Sequence, residues 1–325
     1  MHLMSVRSWP SSCWSRLDSM SELILSKREI RQRVEYGALV LAQRLAVLTR
    51  KPQLGWWEHG FAKLTYQRLK IYRKVVEPNL RIAFANWAEE DRVQLAYDNY
   101  RWFARFTLDL LRMSDWIGRT ESICEVRNPE ILREALAEER GVILASGHFG
   151  NWEIICPRLA EAGFPVSLYV GAQTNPRSDD NQNTLRASFG VETIGRSRQA
   201  PLRIRRALEN NRAVTIIVDQ NDNKSDLFVD FFGKAASMSK GLGSFHYLKQ
   251  SPVLFTTCTY QGNRCLLEFQ RLECPHSGDK ERDLQQTSQA FTTAMEAAIR
   301  RHPEQYFWMH RRWRKRPAYD PQPVY

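Results

Sequence analysis

The chain has 325 residues, 43% of them hydrophobic, and a formal net charge of +11. That apolar content is enough for a sizeable core, which excludes a disordered chain, and the length suits one large domain or two ordinary ones. The basic balance favours acidic partners (nucleic acid, an anionic membrane surface or an acidic carrier protein) without choosing among them. The six cysteines, Cys13, Cys124, Cys156, Cys258, Cys265 and Cys274, are scattered and form no C-x-x-C pair. A disulfide scaffold and a structural zinc site are therefore not expected.

Residues 1–20 hold Arg7 and Arg16 but no apolar h-region, so no signal peptide is read there, and Met20 offers an alternative start. No segment has the roughly 20 apolar residues that a membrane span requires. Residues 34–49, VEYGALVLAQRLAVLT, put Val34, Gly37, Ala38, Leu41, Leu45 and Leu48 at helical spacing, interrupted by Glu35, Gln43 and Arg44. Trp56 and Trp57 follow, then Lys63, Arg68 and Lys70. Apolar helix, tryptophan and base together predict a helix lying at a membrane interface. A core helix of a soluble domain is the alternative.

Further on, a helix is predicted over 86–113, with Glu89, Glu90 and Asp91 in its first turn, where the helix dipole favours acids. Another is predicted over 130–139. The run GVILAS at 141–146 reads as a buried strand, 146–151 as a turn and 152–162 as a helix. Strands at 164–170, 191–194, 213–218, 252–260 and 265–272 then alternate with helices at 179–189, 201–210, 241–250 and 288–301. The fold class expected is α/β, a single mixed and largely parallel central sheet flanked by helices, with an N-terminal membrane-associating helix. No internal repeat is present.

The informative octet is Ser146 to Glu153, S-G-H-F-G-N-W-E. A histidine directly after a buried strand stands where ligands bind open α/β sheets. Its ordinary pKa of about 6.5 lets it take a proton near neutral pH. A carboxylate against the other ring nitrogen would fix the tautomer and stabilise the imidazolium, and Glu153 is the candidate. Gly147 and Gly150 leave room for close backbone approach. Taken alone, so short a pattern as H-x-x-x-x-E more often marks a structural histidine at a helix start. No H-E-x-x-H pair exists, so metal binding is the weaker reading. Cys156, in an apolar run beside Ile154 and Ile155, reads as a buried structural thiol rather than a nucleophile.

The octet resembles the signature of the bacterial lipid A biosynthesis acyltransferases, a branch of the lysophospholipid acyltransferase group. The resemblance continues through Glu77-Pro78-Asn79-Leu80-Arg81, Arg186 ahead of Ile194-Gly195-Arg196, Val218-Asp219-Gln220, the phenylalanine-rich Phe228 to Gly233, and Pro303-Glu304-Gln305-Tyr306-Phe307-Trp308 followed by His310-Arg311-Arg312. These elements keep the family's order across roughly residues 30 to 317.

The resemblance implies transfer of a fatty acyl chain from acyl carrier protein, or acyl-CoA, to a hydroxyl of a lipid A precursor. It implies His148 and Glu153 as the catalytic pair, with no serine nucleophile, no metal and no other cofactor. Arg186 and Asp219 carry over as active-site residues, joined by Asn151 and Gln220 for substrate binding or oxyanion stabilisation. The backbone of 147–151 is a further oxyanion candidate. Arg186 could equally bind a lipid phosphate or be a solvated helix residue, and Asp219 could be a strand-end cap. The expected organisation is an extension at 1–30, a membrane-associated helical segment at 31–75, an acyltransferase domain at 76–317 and a tail at 318–325. Expected partners are the carrier protein, docked by Arg311, Arg312 and Arg314, a glycolipid acceptor and the cytoplasmic face of the cell inner membrane, but not nucleic acid. Asp230 within the phenylalanine-rich element raises the possibility of another acceptor, such as a mannosylated phosphatidylinositol or an ornithine lipid.

Overall fold

The computed structural model describes residues 26–48 and 54–325. Most of the 1–30 extension, the alternative start at Met20 and the last position of the 34–49 helix lie outside the described residues.

Helix α1 (Lys27–Val47) begins earlier than the apolar spacing implies. Ser26 and Glu29 form a capping box, the Glu29 amide donating to Ser26 Oγ at 3.2 Å and the Ser26 amide to Glu29 Oε2 at 2.7 Å. That polar signal precedes the first apolar residue. No described helix is long and apolar enough to cross a membrane. Helices α2 (Leu54–Ala62), α3 (Arg73–Ala83) and α4 (Glu89–Leu111) follow. Helix α3 is not among the elements predicted above. It is a strongly amphipathic helix that carries Pro78 in its interior, where a missing N–H usually argues for a break.

The remaining chain is an α/β alternation. It runs through β1 (Cys124–Val126), α5 (Pro129–Ala137), β2 (Val142–Ser146), α6 (Ile155–Glu161), β3 (Val166–Val170), α7 (Pro176–Ser188), β4 (Glu192–Gly195), α8 (Ala200–Glu209) and β5 (Ala213–Ile217). A hairpin of β6 (Phe228–Phe231) and β7 (Lys234–Ser237) comes next. Helix α9 (Gly241–Lys249), β8 (Val253–Gln261), β9 (Arg264–Arg271) and α10 (Lys280–Arg301) complete it. Seven strands form one sheet in the order β1-β9-β8-β2-β5-β3-β4. Strands β8, β2, β5, β3 and β4 are mutually parallel; β9 turns back antiparallel to β8, and β1 lies parallel to β9.

Strand β2 lies near the middle of that order and is buried along its whole length. Successive side chains of a strand face opposite ways. Ile143 and Ala145 enter one apolar layer with Val214 and Ile216 of β5, while Val142 and Leu144 enter the other with Ile154, Leu159 and Leu267. Coverage on both faces is why 141–146 reads as a continuous apolar run.

The hairpin β6–β7 was not legible as strands. Phe232 (φ 56°) and Gly233 (φ 73°) are its two loop residues, the positive-φ pair that a tight hairpin needs. Asp230 is exposed, and its Oδ1 accepts the Gly233 amide at 2.8 Å. The unexpected acid therefore has a local structural role in the turn.

The closing segment after α10 is threaded across the carboxyl end of the sheet and pinned by buried amides. Asn79 Nδ2 donates to the carbonyls of Trp308 and His310, both at 2.8 Å. Asn99 Nδ2 donates to those of Glu304 at 2.8 Å and Tyr306 at 2.6 Å. Gln305 reaches β8, accepting from the Tyr260 amide at 2.8 Å and donating to its carbonyl at 3.1 Å. Tyr325, the last residue, returns its hydroxyl to Asn79 Oδ1 and to the Trp313 amide.

Substituting Asn99→Ala leaves the Glu304 carbonyl unpaired at that crossing, while the Tyr306 carbonyl keeps the Trp308 amide, at a cost of about 1–3 kcal/mol for the acceptor left without a partner. Urea unfolding should show a lower midpoint with an unchanged m-value. An unchanged midpoint would mean that the closing segment is not held there.

Candidate active site

Strands β2 and β5 are neighbours in register, with Ser146 opposite Ile217. Two residues beyond each of those lie His148 and Asp219. Parallel pairing therefore delivers the two side chains to the same place at the sheet's carboxyl end. Asp219 holds His148 twice: Oδ1 accepts from Nδ1 of the ring at 2.7 Å, and Oδ2 accepts the His148 backbone N–H at 2.9 Å.

The carboxylate on the imidazole is thus Asp219, not Glu153. Glu153 lies in a short 3-10 turn, Trp152–Ile154, and its two oxygens accept from the Arg186 guanidinium of α7 at 3.2 and 3.1 Å. Arg186 also donates to Asn183 Oδ1 at 3.2 Å and is 8% exposed at the side chain. Five residues of spacing did bring Glu153 near the histidine, close enough for its charge to act on the ring. The hydrogen bond went to the strand-end acid, because β-sheet register sets that geometry more rigidly than the first turn of a helix does.

With Nδ1–H donating to Asp219, the lone pair on Nε2 faces outward, where the Gln220 amide approaches to 3.3 Å. Gln220 is exposed, and the His148 side chain keeps 22% of its exposure. Burial alone would lower the His148 pKa, but the charge and hydrogen bond of Asp219, with help from Glu153, raise it above the ordinary value. Asp219 is 5% exposed, and burial would raise its pKa; the ring and backbone bonds of His148 and the charge of Arg312 hold it below the usual carboxylate range.

From His148 to Asn151 the backbone amides of the turn are already engaged. The Phe149 amide donates to the Gly147 carbonyl, that of Gly150 to Gln305 and that of Asn151 to Cys258, at 2.8, 2.8 and 2.6 Å. His148's amide is taken by Asp219. Gly150 (φ +62°) is required for packing rather than for substrate, since an added Cβ would stand 1.9 Å from the Cys258 carbonyl oxygen. Asn151 is fully buried, with both side-chain polar atoms unpartnered among the described residues. Cys156 is buried against the Thr215 hydroxyl, and burial pushes its thiol up to about 12.

One wall is aromatic. Trp152 meets the His148 ring edge-on with centroids 5.0 Å apart, Phe106 of α4 stacks on Trp152 at 3.9 Å, and Phe307 stands 6.0 Å from His148. Among the described residues no three His, Cys, Asp or Glu side chains gather in a way that could hold a metal ion.

Residues 38–315 match the model of the bacterial lipid A biosynthesis acyltransferase family. The chain belongs to that family. It is an acyltransferase. It is 24% identical over 260 residues to the lipid A biosynthesis palmitoleoyltransferase of Escherichia coli (strain K12), covering 77% of this chain and 81% of the relative. It is 23% identical over 263 residues to the lipid A biosynthesis lauroyltransferase of the same strain, covering 79% and 84%. A phosphatidylinositol mannoside acyltransferase of Mycobacterium tuberculosis is 26% identical over 194 residues, covering 56% and 57%.

The acyltransferase's basic end divides in two. Arg311 and Arg314 are exposed. Arg312, expected with them at a docking surface, is 2% exposed. Its guanidinium donates to the Ser237 carbonyl, lies over the Phe231 ring at 5.4 Å and sends its charge toward Asp219. It cannot meet a partner protein. Charge counting placed it outside; its apolar neighbours Trp308 and Trp313, both fully buried, were the signal that it lies inside. His310 was quoted in the motif without a role. Its Nε2 accepts the Asn221 amide at 2.9 Å, steadying the loop after Asp219, and burial pushes its pKa down to about 4.

A histidine accepts a proton as a general base only in its neutral form, so a base at this position loses activity as pH falls through its pKa. That pKa is raised, which sets the acidic limb of kcat/KM above the usual histidine range. Asp219→Asn removes the raising charge and leaves burial, so the limb should move to lower pH while kcat falls by about 10² or more. A pH–rate series on both proteins checks this. An unmoved limb would break the assignment.

Proposed function

We propose that the protein transfers a fatty acyl chain from a thioester donor, acyl carrier protein or acyl-CoA, to a hydroxyl of a lipid A precursor or related glycolipid, with His148 as general base and Asp219 as its partner. The observation that carries this reading is the doubly held imidazole, whose Nε2 faces outward at the carboxyl end of the sheet and, among the described residues, meets only the exposed Gln220 amide, at 3.3 Å. His148 Nε2 takes the proton from the acceptor hydroxyl as its oxygen attacks the thioester carbonyl carbon. The tetrahedral intermediate collapses, the C–S bond breaks, and the thiolate leaves with the proton from the imidazolium. No covalent acyl-enzyme is needed.

The oxyanion requires preorganised donors. Since the turn amides from His148 to Asn151 are engaged, side chains serve instead. Gln220, exposed beside Nε2, is the donor this reading uses. The Glu153–Arg186 pair forms a fixed charged wall next to the base. The catalytic role first expected of Glu153 becomes an electrostatic one.

The enzyme meets its lipid at a membrane surface. Leu41 and Leu45 on α1, Leu48 at its C-cap, and Trp56, Leu64, Leu69 and Tyr72 beyond it are exposed, Trp56 to 86%. Arg44, Lys63, Arg68 and Lys70 are interspersed with them. Apolar side chains mixed with base suit an anionic headgroup layer, as on the cytoplasmic face of an inner membrane. Arg311 and Arg314 remain for steering an acidic carrier protein.

Purified enzyme with acylated carrier protein and a lipid A precursor should yield product heavier by one acyl group in mass spectrometry, and His148→Ala should abolish it while the protein stays folded by circular dichroism. Product at wild-type rate from His148→Ala would end the general-base reading. Co-sedimentation with anionic phospholipid vesicles should be strong at low salt and fall severalfold when Leu45, Leu48 and Trp56 are replaced by Ser. Equal sedimentation of both proteins would remove this face from the membrane.

A further inference from the structure

A cavity of about 140 Å³ opens between the end of α4 and the ends of β8 and β9, outside the catalytic group. Its lining includes Arg105, Arg112 and Arg119 with Asp109, Asp115 and Tyr260. Arg105, Asp109 and Arg112 recur at helical spacing, so one stripe of α4 faces the cavity. Arg105 lies over the Tyr260 ring, 4.2 Å from its centroid, and the Tyr260 hydroxyl donates to Asp109 Oδ2 at 2.9 Å. Ring and guanidinium are thereby held in place.

The guanidinium N–H groups of Arg105, Arg112 and Arg119 make no hydrogen bond to any described residue, and the nearest carboxylate contact is Arg112 to Asp115 at 3.8 Å. Three guanidinium groups, one held by stacking, line this space and outnumber the two carboxylates, Asp109 and Asp115, in the lining. Burial raises the Asp109 pKa, so that wall holds its negative charge less firmly. Planar guanidinium forks match phosphate oxygens two at a time.

The cavity is wired to the base from two directions. Along α4, Phe106 stacks on Trp152, which touches His148, and Asp109 and Arg112 lie about 4.5 and 9 Å further along the axis at 1.5 Å per residue. Across the sheet, Gln305 takes the Tyr260 amide on its side chain and the Gly150 amide on its carbonyl.

We propose that this arginine cavity is a phosphate subsite that holds a phosphate group of one of the two substrates while the reacting ends meet at His148. The inference rests on the acyl-transfer reading for its purpose but not for its binding chemistry. The phosphate belongs either to the glycolipid acceptor or to the phosphopantetheine arm of the donor, and kinetics separate the two.

The binding test uses full-length enzyme and inorganic phosphate, followed by ³¹P line broadening. Broadening is expected with wild type, should be largely lost in Arg105→Gln/Arg112→Gln, and should be reduced severalfold in Arg119→Gln, whose exposed side chain can be removed without disturbing the fold. No broadening by wild type, or equal broadening by all three proteins, would overturn the subsite. In the acyl-transfer assay the same variants should raise KM about tenfold for one substrate with kcat nearly unchanged. A rise confined to the acceptor assigns the acceptor's phosphate, and one confined to the donor assigns the pantetheine phosphate. Loss of phosphate binding with neither KM moved would overturn the claim that a substrate uses the site. Arginine-dependent phosphate binding by a wild type with no acyl transfer would leave the subsite standing and defeat the acyl-transfer reading instead.

Discussion

The double grip of Asp219 on His148 is the contact around which the rest of the site is arranged. It joins the turns after two adjacent parallel strands and fixes three things together: the ring's orientation, its tautomer and the backbone position of the turn. A buried carboxylate is tolerated only where its charge is compensated. Two hydrogen bonds from His148 and the field of Arg312 do that here. Arg312 in turn is tolerable inside because the Ser237 carbonyl and the Phe231 face receive it. The chemistry at the open edge of the imidazole thus depends on a chain of satisfied polar groups running into the core.

A second layer of the same logic holds the frame. The closing segment crosses the sheet's carboxyl end without being a strand, and Asn79, Asn99 and Gln305 supply the hydrogen bonds a strand neighbour would have supplied. Gln305 also carries the Gly150 amide, so the catalytic turn and the closing segment are one unit. Glu153 and Arg186 pair nearby with little solvent. Breaking such a pair leaves an uncompensated charge, so activity lost on changing either residue reports on the wall as well as on the chemistry.

Much of this was legible from the sequence. The alternation of GVILAS with polar turn and helix located β2 and the histidine, because a strand buried on both faces has no polar positions to blur it. The resemblance supplied Asp219 and Arg186, which no local pattern could, since contacts between residues 71 and 33 positions apart leave no trace in spacing. The partner of the imidazole was misassigned because Glu153 is near in sequence, whereas strand register, a long-range property, decides. Helix α3 was hidden by Pro78, the hairpin by its short strands, and the burial of Arg312 by counting charges in a run without asking which of them flank buried tryptophans. The start of α1 was in the sequence as Ser26-Arg28-Glu29 spacing and was missed for want of an apolar residue to mark it.

The claim that Asp219 holds the imidazole is tested most directly by NMR of the histidine ring nitrogens in wild type, Asp219→Asn and Glu153→Gln across pH. The account predicts an Nδ1-protonated His148 with a raised pKa in wild type, a clearly lowered pKa in Asp219→Asn, and only a small change in Glu153→Gln. The reverse order, with the large shift in Glu153→Gln and little in Asp219→Asn, would contradict it.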